Sequence, residues 1–143
     1  MTIYDVFPKT IKTVDLVSLQ DKKIKENLDK ILKEQDYLWN NDYREYGHYS
    51  GNQYVLDKPE LKDLKKEIAF KVLEFGTKDY GHDLKAIRVI SSWTHEIGTD
   101  QFIPAQRHAN SYISGCVYLK DGPTISFTDN EDGNKMFNFS PLI

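Results

Sequence analysis

Gln106, His108 and Asn110 alternate in the segment "QRHAN". In an extended chain, side chains two apart point to the same face, so these three would project together from a strand end. A non-haem iron site needs two imidazoles and a carboxylate on one triangular face, with the opposite face open. A histidine followed two residues later by an acid supplies two of those three ligands. Here the second position is Asn110, and a neutral amide oxygen binds iron(II) more weakly than a carboxylate. Nucleophilic hydrolysis is poorly served. Ser114 precedes Gly115 without a Gly-x-Ser-x-Gly turn, and Cys116 has no assignable base.

The elements that would position these residues change period along the chain. "TIYDVFP" reads as a short opening strand that stops at Pro8. Ser18 with Asp21 predicts a helix start, followed by Ile24, Leu28, Ile31 and Leu32 at helical spacing. Lys22, Lys23, Lys25, Lys30 and Lys33 then form its solvated face. "WNNDYREYGHYSGNQ" has no apolar period and reads as a loop, in which His48 has no metal role. Pro59 opens a second helix whose stripe is Leu61, Leu64, Ile68, Val72 and Phe75, with Gly76 or Gly81 to end it. Beyond it, "KAIRVISSWTHEI", "YISGCVYLK", "TISFTD" and "KMFNFSPLI" alternate with period two and read as strands.

The chain has 143 residues, the size of one domain. We expect a single α+β domain over 1–143, with helical support over 1–83 and antiparallel strands over 84–143. Its 19 Lys and Arg against 22 Asp and Glu leave a net charge of −3, without the broad basic surface that nucleic-acid binding needs. The one cysteine, Cys116, excludes an intramolecular disulfide, and its apolar run suggests a buried thiol in a reducing compartment. No leader pattern or apolar run of about 20 residues appears, so the expectation is a soluble, cytoplasmic protein with no membrane partner.

"SSWTHEIGTDQFIPAQRHANSYISGCVYL" resembles the first half of the double-stranded β-helix in the 2-oxoglutarate and iron(II)-dependent oxygenase superfamily, especially the subgroup common in marine phages and bacteria. The matching residues are Ser92 and Trp93, Gly98, His108, Asn110 and Ser111, and Ser114, Gly115 and Tyr118. The resemblance, which covers most of the chain, implies two amino-terminal helices packed on an antiparallel jelly-roll or cupin-like sheet. It implies iron(II) and 2-oxoglutarate as cofactors and hydroxylation of a substrate that the sequence does not identify. His108 would be a metal ligand, Asn110 or Gln106 a weak ligand or supporting partner, and Tyr118, Ser92 and Thr94 co-substrate contacts. His95, one strand away, is an alternative second imidazole.

The sequence departs from that pattern in two places. Where relatives often read His-x-His, this chain has Gln106-Arg107-His108, and no histidine or clamping basic residue follows at the distal positions. The expectation is therefore an incomplete jelly roll, lacking its distal half. The rival reading is a non-catalytic, cupin-like phage accessory or assembly module without iron, able to self-associate through the sheet edge near "FNFSPLI".

Overall fold

The computed structural model describes residues 10–35, 37–38, 47–104, 106, 108, 110–120, 125–128 and 136–139. The opening strand expected before Pro8 lies outside them. Contacts divide the chain into two compact units, one of Met1–Glu34 with Tyr54–Ser92, the other of Gln35–Gln53 with Trp93–Ile143.

The first unit is helical. Its helix α1, Lys22–Lys33, begins at Asp21, whose carboxylate accepts the N–H groups of Lys23 at 2.8 Å and Ile24 at 3.1 Å. The cap is thus Asp21 itself, because Ser18 is already inside a 3-10 turn, Val17–Gln20. Helix α2, Lys62–Glu74, grows out of the 3-10 turn Pro59–Leu61, with Pro59 in the first turn where its missing N–H costs nothing. The helix widens into a π turn over Phe75–Asp79, and Gly81 follows at φ +68°, a left-handed conformation open to glycine. Leu28, Ile31, Val55, Leu61 and Leu64 form the core, with Leu16, Leu19, Ile24, Leu56 and Ile68 packed around it. Each fully buried side chain contributes about 1.5–3 kcal/mol before the cost of ordering it.

Glu67 fastens the 3-10 turn to α2. Its two carboxylate oxygens accept the N–H groups of Val17 at 2.7 Å and Ser18 at 2.8 Å. These are donors that the start of a helical turn leaves without internal partners. Lys12 pairs with Asp79, and its ammonium lies 5.7 Å from the Phe75 ring centre, tying the incoming chain to the far end of α2.

The second unit holds the strands. β1, Tyr37–Leu38, β2, His48–Ser50, and β3, His95–Glu96, make an antiparallel sheet in the order β1-β2-β3. β4, Ile125–Thr128, and β5, Met136–Phe139, form a separate antiparallel pair, with Ile125 opposite Phe139 and Thr128 opposite Met136. The pairing of "TISFTD" with "KMFNFSPLI" is as the alternation predicts.

The double-stranded β-helix is not: among the described residues there is a small three-stranded sheet and a two-stranded pair, not two stacked sheets. The run "KAIRVISSWTHEI" forms a strand only at His95–Glu96, and 112–119 form none. Alternation marks a chain suited to a half-buried pleat, but a strand exists only where a neighbour satisfies its backbone. Ser92 instead makes an isolated bridge with Tyr54, and its carbonyl accepts the Val55 N–H at 3.0 Å. Tyr112, Val117 and Leu119 are exposed, so 112–119 lack the covered face that an inner strand requires. His48, expected in a loop, lies on β2. Cys116, expected to be buried, is exposed. No helix among the described residues is long and apolar enough to cross a membrane.

Glu67 yields a test. A hydrogen bond from the Ser18 side chain, then the Ser18 and Val17 backbone bonds and nearby Lys71, outweigh desolvation and hold its carboxyl below the usual range. The folded form therefore favours the carboxylate. That stabilisation is present above the carboxyl's unfolded pKa and is lost as pH falls through the lower, folded value. Glu67→Gln should cost about 1 kcal/mol at pH 7 in urea unfolding, as loss of a cap does. The gap from wild type should shrink as pH falls below the ordinary carboxyl range; a gap that keeps its full size throughout acid conditions would refute the carboxylate's role.

Candidate functional site

The second unit positions its histidines through one buried hydroxyl. Ser50, at the end of β2, is fully buried. Its N–H donates to the Thr94 carbonyl at 2.9 Å, the Thr94 N–H donates to Ser50 Oγ at 3.1 Å, and that hydroxyl donates to the Asn52 carbonyl at 2.9 Å. The segment 93–96 is thereby clamped alongside β2, with Tyr49 opposite His95 and His48 opposite Glu96. Gly47 lets the next turn come close: a Cβ there would stand 2.9 Å from Ile97 Cγ1 and 3.1 Å from the Glu96 carbonyl. Its N–H donates to the Phe102 carbonyl at 2.9 Å. Between them, the turn at Gly98 is closed by the Gln101 side chain, whose Oε1 accepts the Gly98 N–H at 2.8 Å.

Trp93 and His95, two apart on the extended segment, share a face. The indole Nε1–H donates to His95 Nε2 at 2.7 Å, so in the neutral ring Nε2 carries the lone pair and Nδ1 the proton. The two rings meet edge to face, with centres 6.2 Å apart. His108 packs against the same indole, centre to centre 5.1 Å and tilted by 51°. The structure therefore brings the imidazoles of His95 and His108 together around Trp93. Although the residue is exposed overall, partial desolvation of the ring lowers the His95 pKa below its ordinary value; a hydrogen bond with the His48 backbone opposes this, and His108 adds to the lowering.

The other candidates stand as follows. Gln106, His108 and Asn110 are all exposed. The chain through them is not the extended strand end expected, because the Ser111 N–H turns back to the His108 carbonyl at 3.2 Å. That turn breaks the strict alternation that would aim Asn110 with His108. Ser92 belongs to the first unit, where its Oγ accepts the Leu56 N–H at 2.9 Å, a structural clasp that its sequence position did not disclose. Thr94 lies on the second unit, and its Oγ1 is buried with no hydrogen-bond partner among the described residues. Tyr118 is half-buried. Desolvation and nearby Cys116 raise its pKa, against a hydrogen bond from the Ile125 backbone, so the phenol stays protonated at neutral pH. Ser50 and Trp93 were missed as positioning residues. A lone serine in "HYSGN" carries no signal of a buried junction, whereas Trp93, two residues before His95, offered one.

In kind, imidazole nitrogen suits iron(II), and a neutral amide oxygen is the weaker donor to it. Among the described residues no group of three or more His, Cys, Asp or Glu is placed to hold a metal, and the donors that the structure brings to one place are the imidazoles of His95 and His108, both against Trp93. A shallow cleft of about 390 Å³ lies in the first unit, lined by Leu56, Asp57, Lys58, Pro59, Lys62 and Lys65, and includes none of the candidates.

Two measurements bear on this arrangement. Ser50→Ala removes the acceptor of the Thr94 N–H and should cost about 1–3 kcal/mol, whereas Thr94→Val removes an unpartnered hydroxyl and should be neutral or stabilising; equal losses from both in urea titrations would contradict the bonding described. The depressed His95 pKa means that the fold favours the neutral ring. Its contribution is present above the ordinary histidine value and is lost as pH falls through the lower, folded one. In a Trp39→Phe background, Trp93 emission should therefore change with a midpoint below about 6.5. A midpoint above that value would reverse the assignment.

Comparisons with known protein families, with curated proteins and with solved structures found no match.

Proposed function

We propose that the chain is a 2-oxoglutarate- and iron(II)-dependent oxygenase-like protein, with His108 as a metal ligand. The observation that carries this reading is the contact of His108 with Trp93, which joins the histidine segment to the Ser-Trp segment as the motif resemblance implies. The reading rests on that meeting of motifs and not on a barrel. With iron(II) bound, dioxygen would be the oxidant and 2-oxoglutarate the co-reductant: one oxygen atom would hydroxylate a substrate C–H bond and the other would enter succinate, with release of carbon dioxide.

The chain's own residues bind and orient. His108 presents an exposed imidazole beside an indole wall, and Gln106 and Asn110 offer exposed amide oxygens near it in the chain. Tyr118 keeps its phenolic proton at neutral pH and so can donate it to a carboxylate of the co-substrate.

A second reading is favoured by a different observation. Tyr49, Phe102, Tyr112, Val117 and Leu119, all in the second unit, are exposed, with Phe102 and Tyr112 at 50% and 52%. An assembly or accessory module that covers such side chains with a further chain, including another copy paired along a sheet edge, would use them directly.

Anaerobic addition of iron(II) and 2-oxoglutarate should give a weak visible charge-transfer band, and oxygen should then release succinate. His108→Ala should abolish the band and lower succinate release at least tenfold. Absence of the band, melting unaltered by iron, and concentration-dependent self-association in sedimentation would establish the assembly reading instead.

A further inference from the structure

We propose that His95 is a second imidazole ligand of the metal held by His108, and that the Trp93 indole N–H is a built-in competitor for it. The inference rests on the metal-binding reading of His108 and adds to it both a ligand and a control on that ligand's availability.

A neutral imidazole has one lone pair for a metal. In His95 that lone pair is on Nε2, and the Trp93 Nε1–H occupies it at 2.7 Å. The opposite nitrogen carries the ring proton, and the ring is held by the backbone of His48 across the sheet. Metal-binding histidines bind through one nitrogen while a hydrogen bond at the other fixes the tautomer and the ring's direction. Here the nitrogen with the lone pair meets an indole N–H.

The second imidazole is already in the neighbourhood. His108 touches the same Trp93 ring, and its charge influences His95. Both histidines are exposed, so a cation reaches them without opening a core. Two imidazoles favour borderline divalent cations such as zinc, nickel and copper as well as iron. For a cation to take Nε2, the indole must leave it. Binding thus exchanges an N–H···N hydrogen bond for an N–metal bond, with no net transfer of protons or electrons. Trp93 lowers the affinity by the strength of the bond it gives up and holds the His95 lone pair in a defined direction until a metal arrives.

Zinc(II), which undergoes no oxidation, is the probe, titrated at pH 7.5 against a chromophoric chelator. His95→Ala and His108→Ala should each weaken binding at least tenfold. Trp93→Phe should strengthen it about fivefold, the factor that corresponds to one ordinary hydrogen bond. Wild-type protein provides a readout that needs no folded variant: the Trp93 indole N–H proton resonance should lie downfield without metal and move upfield as zinc saturates the site. Loss of binding in His108→Ala with unchanged binding in His95→Ala, or an indole resonance that zinc leaves in place, would overturn the inference while leaving His108 as a ligand. No zinc binding at all by the wild type, with no band from iron(II), would remove the underlying reading and the inference with it.

Discussion

The arrangement of the second unit depends on the burial of one small hydroxyl. Ser50 is wholly shielded from water, and every polar atom it brings must therefore be paired inside the protein. It does so by exchanging bonds with Thr94 on one side and bonding Asn52 on the other. Because the Ser50–Thr94 exchange sets the register of β2 against β3, it also sets which way Trp93 and His95 face. A shift by one residue would send both rings to the other side of the strand. The histidine cluster is thus a consequence of a backbone junction rather than of any attraction between the rings.

The first unit follows a different logic. Among the described residues its apolar core is Leu28, Ile31, Val55, Leu61 and Leu64, and the turns that bracket the helices are held by specific polar contacts: Asp21 at the start of α1, Glu67 across to Val17 and Ser18, and Lys12 across to Asp79. The lysines of α1 are all exposed, consistent with a solvated face rather than a basic patch. The lysine ion pairs on the surface, such as Lys22 with Glu26, have highly exposed partners and contribute little. The Glu67 bonds matter more, since they pair backbone donors that would otherwise be unpaired at the start of a turn.

Legibility differed with the range of the interaction involved. Pro59, the apolar stripe of α2 and the β4–β5 pair were readable because each is decided within about a dozen residues. The start of α1 was read one turn too early, because "SLQD" offers two capping residues and a 3-10 turn took the first. The strands expected over 87–93 and 112–119 failed for a long-range reason: Ser92 found its partners at Val55 and Leu56, some 36 residues away in sequence, and the apolar residues of 112–119 found no covering sheet among the described residues. Cys116 was misplaced by the same inference, since an apolar run was equated with burial.

By itself, the sequence determined composition, charge, helical periodicity and the chemical types available near His108, because these depend on residue identity and local spacing alone. Only the tertiary structure decided that His108 and His95 share one indole, that His95 Nε2 is occupied, and that Ser92 serves as a clasp in the other unit. The first and the last join segments well apart in the chain, and the second depends on the pairing of β3 with β2 that keeps Trp93 and His95 extended on one face. Such contacts are selected by which backbone groups remain to be paired once the local elements have formed, and no spacing rule encodes that choice.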